Sequence, residues 1–159
     1  MFKVDHGKAS NLLPEGTYEA VVYHARMEYT MSGREYIGIE MIIRNDVEQP
    51  RQNSHIYYQL WPAKNPKAED LACGGFLSWQ IQALSKSCGL ENGREYGSLE
   101  EWFDDLATRP LIVDVRHEEY DGKTRARVKY TDITKHPEFR HQWDKETGFA
   151  EIEDDDCPF

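Results

Sequence analysis

The chain has 159 residues, of which 39% are hydrophobic, and this length favours a single domain with one core. Its 29 acidic and 19 basic residues give a net charge of -10, which argues against nucleic-acid binding by the chain as a whole. No apolar run reaches the length of a membrane span and no secretory signal is evident, so we expect a cytoplasmic protein without a membrane partner.

Three strand patterns come first. Residues 17–27 alternate apolar or aromatic residues with polar ones, and a short Ser-Gly turn joins them to a second strand as a hairpin. The aliphatic face of this second strand is Ile37, Ile39, Met41 and Ile43. The third strand, within NSHIYYQLWP, places Tyr57 and Trp61 opposite its apolar face and ends at Pro62.

Two amphipathic helices and a second hairpin follow a polar loop. Apolar residues recur at helical spacing in residues 76–90, and residues 97–110 begin with a capping box at Ser98 and Glu101. Two further strand patterns flank Asp121-Gly122, a strong signal for a short hairpin. After residue 134 the chain is polar with scattered aromatic residues, which predicts a loosely ordered extension.

This order of elements is that of an OB-fold. We predict a mainly β protein, a five-stranded Greek-key barrel with a helical insertion between strands three and four. The barrel domain would cover residues 1–135, followed by a flexible extension, residues 136–159, that ends in a disordered acidic tail. A mixed five-stranded α+β sheet would give the same order of elements.

Basic residues occupy every second position of the last strand, in the segment KTRARVKYT. In an extended chain this spacing places four cations on one face, about 7 Å apart. They are Lys123, Arg125, Arg127 and Lys129. Such a row suits a polyanion, and the backbone of single-stranded nucleic acid is one. The alternative is an edge strand whose cations prevent pairing with other strands.

Aromatic residues on the second and third strands extend this candidate interface. Tyr57 and Trp61 point away from the aliphatic face, so that nucleic-acid bases could stack on them. Tyr36 and Arg44 share the non-aliphatic face of the second strand and would add a ring and a cation. OB-folds bind their ligands on these two strands. The alternative is that the rings pack beneath the helices.

No residue pattern predicts catalysis or a bound metal. The six histidines lack metal-ligand spacing, and the three cysteines show neither zinc nor disulfide spacing. No glycine pattern suits a phosphate-binding loop. We therefore expect no catalytic residues, no metal and no cofactor.

The sequence ends in EIEDDDCPF. Residues 151–156 hold five carboxylates, half of the net charge, and cannot fold alone because like charges repel and no apolar period is present. The proline and phenylalanine after them suit an apolar pocket with a basic rim on a partner protein. The candidate partner-binding residues are Asp154, Asp155, Asp156, Cys157, Pro158 and Phe159.

Two resemblances rest on these motifs. The tail resembles the C-terminal tip of bacterial single-stranded DNA-binding proteins, an acidic run ending in Pro-Phe that recruits replication and repair proteins. Cys157 stands where that family usually has a bulkier aliphatic residue. Residues 10–135, with LPEGTYEAVV, GIEMIIRNDVEQ, YYQLW and DGKTRARVKY, resemble an uncharacterised family of bacteriophage early proteins. Members of that family are similar to OB-fold single-stranded DNA-binding proteins, which implies single-stranded DNA as a partner in a bacterial cytoplasm.

The sequence therefore predicts a protein that binds and protects single-stranded DNA with little sequence preference. Its tip would recruit replication, repair or recombination proteins. Two alternatives stay open: an adaptor or inhibitor that imitates the tip without binding DNA, and a strand-annealing protein that forms stable higher oligomers. The sequence does not decide between a monomer and a homo-oligomer.

Overall fold

The computed structural model describes residues 1–4 and 12–143, and its elements follow the predicted order. The strands are β1 (Gly16–Tyr29), β2 (Glu35–Ile43), β3 (His55–Leu60), β4 (Pro110–Tyr120) and β5 (Lys123–Asp132). The helices α1 (Ala68–Leu71), α2 (Ser78–Ser87) and α3 (Leu99–Leu106) lie between β3 and β4. The predictions of a mainly β protein and of a helical insertion after the third strand are confirmed.

The strands form one antiparallel sheet in the order β3-β2-β1-β4-β5. The long strand β1 is central, because residues 16–21 pair with β4 and residues 20–29 pair with β2. Tyr23 in β1 and Lys129 in β5 are the extra residues at two shifts of register, where a strand twists more strongly. The hydrogen-bonded sheet is open, with β3 and β5 as its edges, and Cα atoms of these two strands approach within 8 Å.

The hairpin of β4 and β5 turns at Asp121-Gly122, as the sequence predicts. Both residues have positive φ, 54° and 77°, the left-handed conformation that a two-residue hairpin turn of type I′ requires. Glycine adopts it without steric cost, and aspartate tolerates it better than most residues. The turn sets the register in which Glu118 of β4 lies opposite Arg125 of β5.

The core lies between the inner face of the sheet and the helices α2 and α3. The amphipathic helix α3 contributes the buried residues Trp102, Phe103 and Leu106. The Ser98 hydroxyl caps this helix by accepting a hydrogen bond from the Glu101 N–H at 3.2 Å. The Glu101 carboxylate in turn accepts from the Gly97 N–H at 2.7 Å, one residue before the position that a standard capping box uses.

The short helix α1 lies in the segment for which the sequence pattern predicts a polar loop. The Asp70 carboxylate accepts hydrogen bonds from the backbone N–H of Ser78 at 2.8 Å and of Lys67 at 3.0 Å. These two bonds hold the pKa of Asp70 below its ordinary value. One helical turn is too short to show an apolar period, so its sequence pattern does not distinguish it from a loop.

Residues 134–142 lie against the outer face of the sheet, where β1 and β2 meet. The Glu19 carboxylate accepts hydrogen bonds from the Thr134 hydroxyl and the Lys135 N–H. The side-chain amide of Asn45 donates a hydrogen bond to the Gln142 carbonyl and accepts one from the Gln142 N–H. This end of the sheet is therefore covered on both faces.

Part of the predicted flexible extension thus packs on the sheet, while residues 144–159 lie outside the described residues. The predicted domain boundary at residue 135 stays a prediction. None of the helices in the described part of the chain is long and apolar enough to cross a membrane.

Candidate nucleic-acid interface

The four predicted cations of β5 are exposed along one face of the strand. We call Lys123, Arg125, Arg127 and Lys129 the basic strand face. Between them, Ala126 and Val128 turn toward the core, which is the alternation expected of an extended chain. Arg116 of β4 lies directly opposite Arg127 and adds a further exposed cation beside this row.

One carboxylate partly neutralises the basic strand face. Glu118 accepts hydrogen bonds from Arg125 Nε and from Arg127 Nη1, both at 3.0 Å, and these bonds hold the pKa of Glu118 below its ordinary value. The Arg125 guanidinium also lies 4.7 Å from the centre of the Tyr120 ring. The two arginines and Tyr120 are exposed and Glu118 is partly exposed, so exchanging the carboxylate for a phosphate would cost little.

Tyr57 lies on the outer face of β3 and is 67% exposed. Its hydroxyl donates a long hydrogen bond of 3.4 Å to Glu40. The same carboxylate bridges His24 at 3.0 Å and His55 at 2.5 Å across the neighbouring strands. The ring of Tyr57 is thus accessible while its hydroxyl is held against the sheet.

Trp61 follows directly after β3 and is half-buried. It stacks on Tyr36 with ring centroids 4.5 Å apart, and the Arg34 guanidinium lies 4.7 Å from its centre. Because Trp61 already contacts two planar groups, a nucleic-acid base would gain less there than on Tyr57.

Arg44 is fully buried, unlike the other predicted interface residues. Its side chain projects from the outer face of the sheet, as the alternation predicts, but residues 134–142 cover it. All five N–H donors of its guanidinium form hydrogen bonds: two to the Asp46 carboxylate, and the others to Thr134 and to the carbonyls of His136 and Glu138. We therefore leave Arg44 out of the interface proposed below.

A groove runs between β3 and β5, the two edge strands of the sheet. We call it the seam groove. It encloses about 460 Å³ between β3, α2 and β5. Its lining includes Gln59 of β3, Trp79 and Gln80 of α2, and Arg127, Lys129 and Tyr130 of β5. Tyr58 lies in the same groove, where burial raises its pKa and the Arg127 charge opposes the rise. The basic strand face thus borders a groove that contains aromatic rings.

Sequence comparison identifies the family but no activity. The family model described as a protein of unknown function (DUF669) matches residues 2–145. The chain belongs to this family. No curated protein matches the chain. The family match includes the segment that covers Arg44, and it ends before the acidic tip.

Two residues of this DUF669 domain at the seam groove were missed by sequence reasoning. Trp79 lies two positions before Ile81, off the apolar face of α2, and this offset was the available signal. Arg116 occupies an outward position of β4. It lies beside β5 only because the two strands pair. Trp79 could not be related to the groove without the packing of α2 over β5, nor Arg116 without the pairing of β4 with β5.

The predicted tip residues, Asp154 to Phe159, lie outside the described residues. Within residues 1–4 and 12–143, no group of three or more histidine, cysteine, aspartate and glutamate side chains could hold a metal ion. A second cavity, of about 930 Å³, lies between α2 and the loop that precedes α3, with Trp102 and Leu99 in its lining. The predicted site residues within the described part of the chain lie elsewhere.

Proposed function

We propose that this DUF669 protein binds single-stranded DNA with little sequence preference. The strand would run along the basic strand face and the outer face of β3. Phosphates would contact Arg125, Arg127 and Lys129, and bases would stack on Tyr57 and, less strongly, on Trp61. Contacts of these kinds carry little information about base identity.

We further propose that the five strands form a partly open OB-fold barrel. The strand order β3-β2-β1-β4-β5 and the approach of β3 to β5 within 8 Å support it. Closing the sheet at this seam would bring the outer faces of its two edge strands side by side, so that Tyr57 and the basic strand face would form one surface. The resemblance to phage proteins adds the expectation of a phage origin, which stays a prediction.

One observation carries the proposal: Arg127 and Lys129 line the same groove as Gln59, the residue between Tyr57 and Trp61 on the outer face of β3. A single-strand binder needs cations beside flat rings, because phosphates and bases alternate along its ligand. Half of the net charge of -10 belongs to residues 151–156, so the charge of the remaining chain opposes binding only half as strongly.

The test is titration of a fluorescent oligo-dT of about 30 bases, followed by anisotropy at several salt concentrations. Arg125→Gln with Arg127→Gln should weaken binding on the order of tenfold at low salt and reduce the slope of log K against log salt by about 1.4. The matched control is Arg51→Gln with Lys64→Gln, two exposed cations that do not line the seam groove. This control removes the same charge and should bind like the wild type.

Absence of oligonucleotide binding by the wild type at low salt would refute the proposal, because phosphate contacts are strongest there. Equal losses in the two double variants would indicate a dependence on net charge alone. Duplex DNA as competitor separates single-strand binding from general polyanion binding.

The acidic tip is proposed to recruit replication, repair or recombination proteins. Its aspartates suit a basic rim and its terminal phenylalanine suits an apolar pocket. Phe159→Ala should remove capture of such partners while leaving affinity for oligo-dT unchanged. Unchanged capture by this variant would contradict the recruitment role.

A second candidate function is an adaptor or inhibitor that imitates the tip without binding DNA. The pairing of both central arginines of β5 with Glu118 favours it, because it reduces the charge open to a phosphate. Under this alternative, the Arg125→Gln and Arg127→Gln double variant keeps full partner binding, and neither protein binds oligo-dT.

A further inference from the structure

Helix α2 presents a large side chain that neither the core nor the proposed interface uses. Trp79 is 66% exposed, although tryptophan is highly buried in most proteins. It precedes the buried residue Ile81 by two positions, which is about 200° around the helix axis. The indole therefore points away from the face that packs into the core.

The orientation of α2 directs Trp79 into the seam groove. Trp79 and Ala83 are four residues apart, on one side of the helix, and both line the groove, as does Gln59 of β3. At its other end, α2 is held over β5 by a hydrogen bond of 2.7 Å between the hydroxyls of Ser87 and Thr131. The ring thus stands on a fixed element rather than on a loop.

We propose that Trp79 is a base-stacking platform of the seam groove. One base of a single-stranded nucleic acid lies on the indole, and the adjoining phosphates contact Arg127 and Lys129, which line the same groove. This inference rests on the proposed function and extends the interface beyond β3 and β5 to helix α2.

The chemistry of the lining favours a nucleotide over an acidic peptide. Both ligands would use the two cations, but every unit of a single-stranded nucleic acid offers a planar ring to the exposed indole, whereas an acidic peptide does so only where it carries an aromatic side chain. The amides of Gln59 and Gln80 can donate to or accept from base edges, whichever base is present. Such amides fit a site that accepts any base.

The experiment compares two ligands of equal length and charge, an oligo-dT of about 30 bases and an abasic oligonucleotide. Trp79→Ala should weaken oligo-dT binding by about 5- to 150-fold, the factor associated with stacking of one base, and leave abasic binding unchanged. Trp79→Phe keeps a flat ring and should retain most of the affinity. Tyr23→Ala removes an exposed ring outside the groove and serves as the control.

The outcomes separate this inference from the proposed function. If wild-type protein binds oligo-dT and Trp79→Ala binds it equally well, the stacking role is overturned while single-strand binding stands. If Trp79→Ala loses affinity for both ligands equally, the residue acts through the fold and the stacking role is again overturned. If the wild type binds neither ligand, both proposals fail.

Discussion

Two regions of this molecule place arginine residues on the outer face of one sheet, with opposite results. At the β1–β2 end, Arg44 is fully buried beneath residues 134–142. At the other end, Arg125 and Arg127 are exposed and share the carboxylate of Glu118. We call the first region, formed by Glu19, Arg44, Asp46 and residues 134–142, the Arg44 cluster.

The comparison shows that outward position on a strand does not decide exposure. Buried in the Arg44 cluster, the guanidinium has all five donors bonded, and the Phe139 ring lies 5.1 Å from it. Burial alone would raise the pKa of Asp46, but hydrogen bonds from Arg44 and from the Arg140 N–H hold it below its ordinary value. The seam groove has no such covering segment within the described residues, so its arginines can exchange partners.

The largest expected effect is loss of stability in the Arg44 cluster. Arg44→Met should lower the free energy of unfolding by about 3 to 5 kcal/mol, because it leaves the carboxylates of Glu19 and Asp46 buried without their partner. Denaturation by urea, followed by circular dichroism, measures it.

Arg127→Met is the matched control, since it removes the same group from the basic strand face. This exposed arginine should leave the urea midpoint almost unchanged. If the two variants lose equal stability, the distinction between a structural and a binding arginine is wrong.

Sequence patterns predicted the strands and helices better than they predicted the environment of single residues. The alternation in β2 puts Arg44 on the outer face, and the alternation in β5 does the same for Arg127. Only the tertiary fold distinguishes them, because residues 134–142 return to β2 from about ninety positions away. The sequence of that segment, polar with scattered aromatic residues, predicted a loosely ordered extension rather than a segment that covers the sheet.

The seam groove shows the same limit. The turn at Asp121-Gly122 and the row of cations were readable in the sequence, since both depend on local conformation. Trp79 was not assigned, because its role depends on how α2 crosses β5. Long-range packing, unlike the period of a strand, leaves no signal in a short window of sequence.

The next effect concerns the carboxylate that the two exposed arginines share. Glu118→Gln should tighten binding of oligo-dT by about two- to fivefold, the factor that an exposed ion pair is worth. The reason is that phosphate would no longer compete with the Glu118 carboxylate for the two arginines. The salt dependence should also become steeper, since both guanidinium groups become available to phosphates. Anisotropy titrations at several salt concentrations measure both changes.

Glu28→Gln is the control for this prediction, because Glu28 also pairs with an arginine but does not line the seam groove. It changes the net charge equally and should leave affinity as in the wild type. Weaker binding by the Glu118 variant would mean that this carboxylate positions the arginines for the ligand rather than competing with it.

The smallest effect tests whether the cover of the Arg44 cluster depends on pH. His141 is buried, and its Nδ1 accepts a hydrogen bond of 3.1 Å from the Asn45 N–H, which requires the neutral ring. Burial lowers the pKa of His141 below its ordinary value of 6.5; the Asp46 charge opposes the shift and the Arg44 charge reinforces it.

His141 has a lower pKa in the folded than in the unfolded state. Its neutral form therefore contributes fully to stability above pH 6.5, and this contribution is lost as the pH falls from 6.5 through the folded pKa. His141→Asn keeps an acceptor for the Asn45 N–H but does not titrate in this range. Between pH 7.5 and 5.5, the wild type should therefore lose more stability toward urea than this variant does. His136→Asn, at an exposed position in the same segment, should lose as much as the wild type. If His141→Asn and the wild type weaken in parallel, acid acts elsewhere and His141 does not make the cover depend on pH.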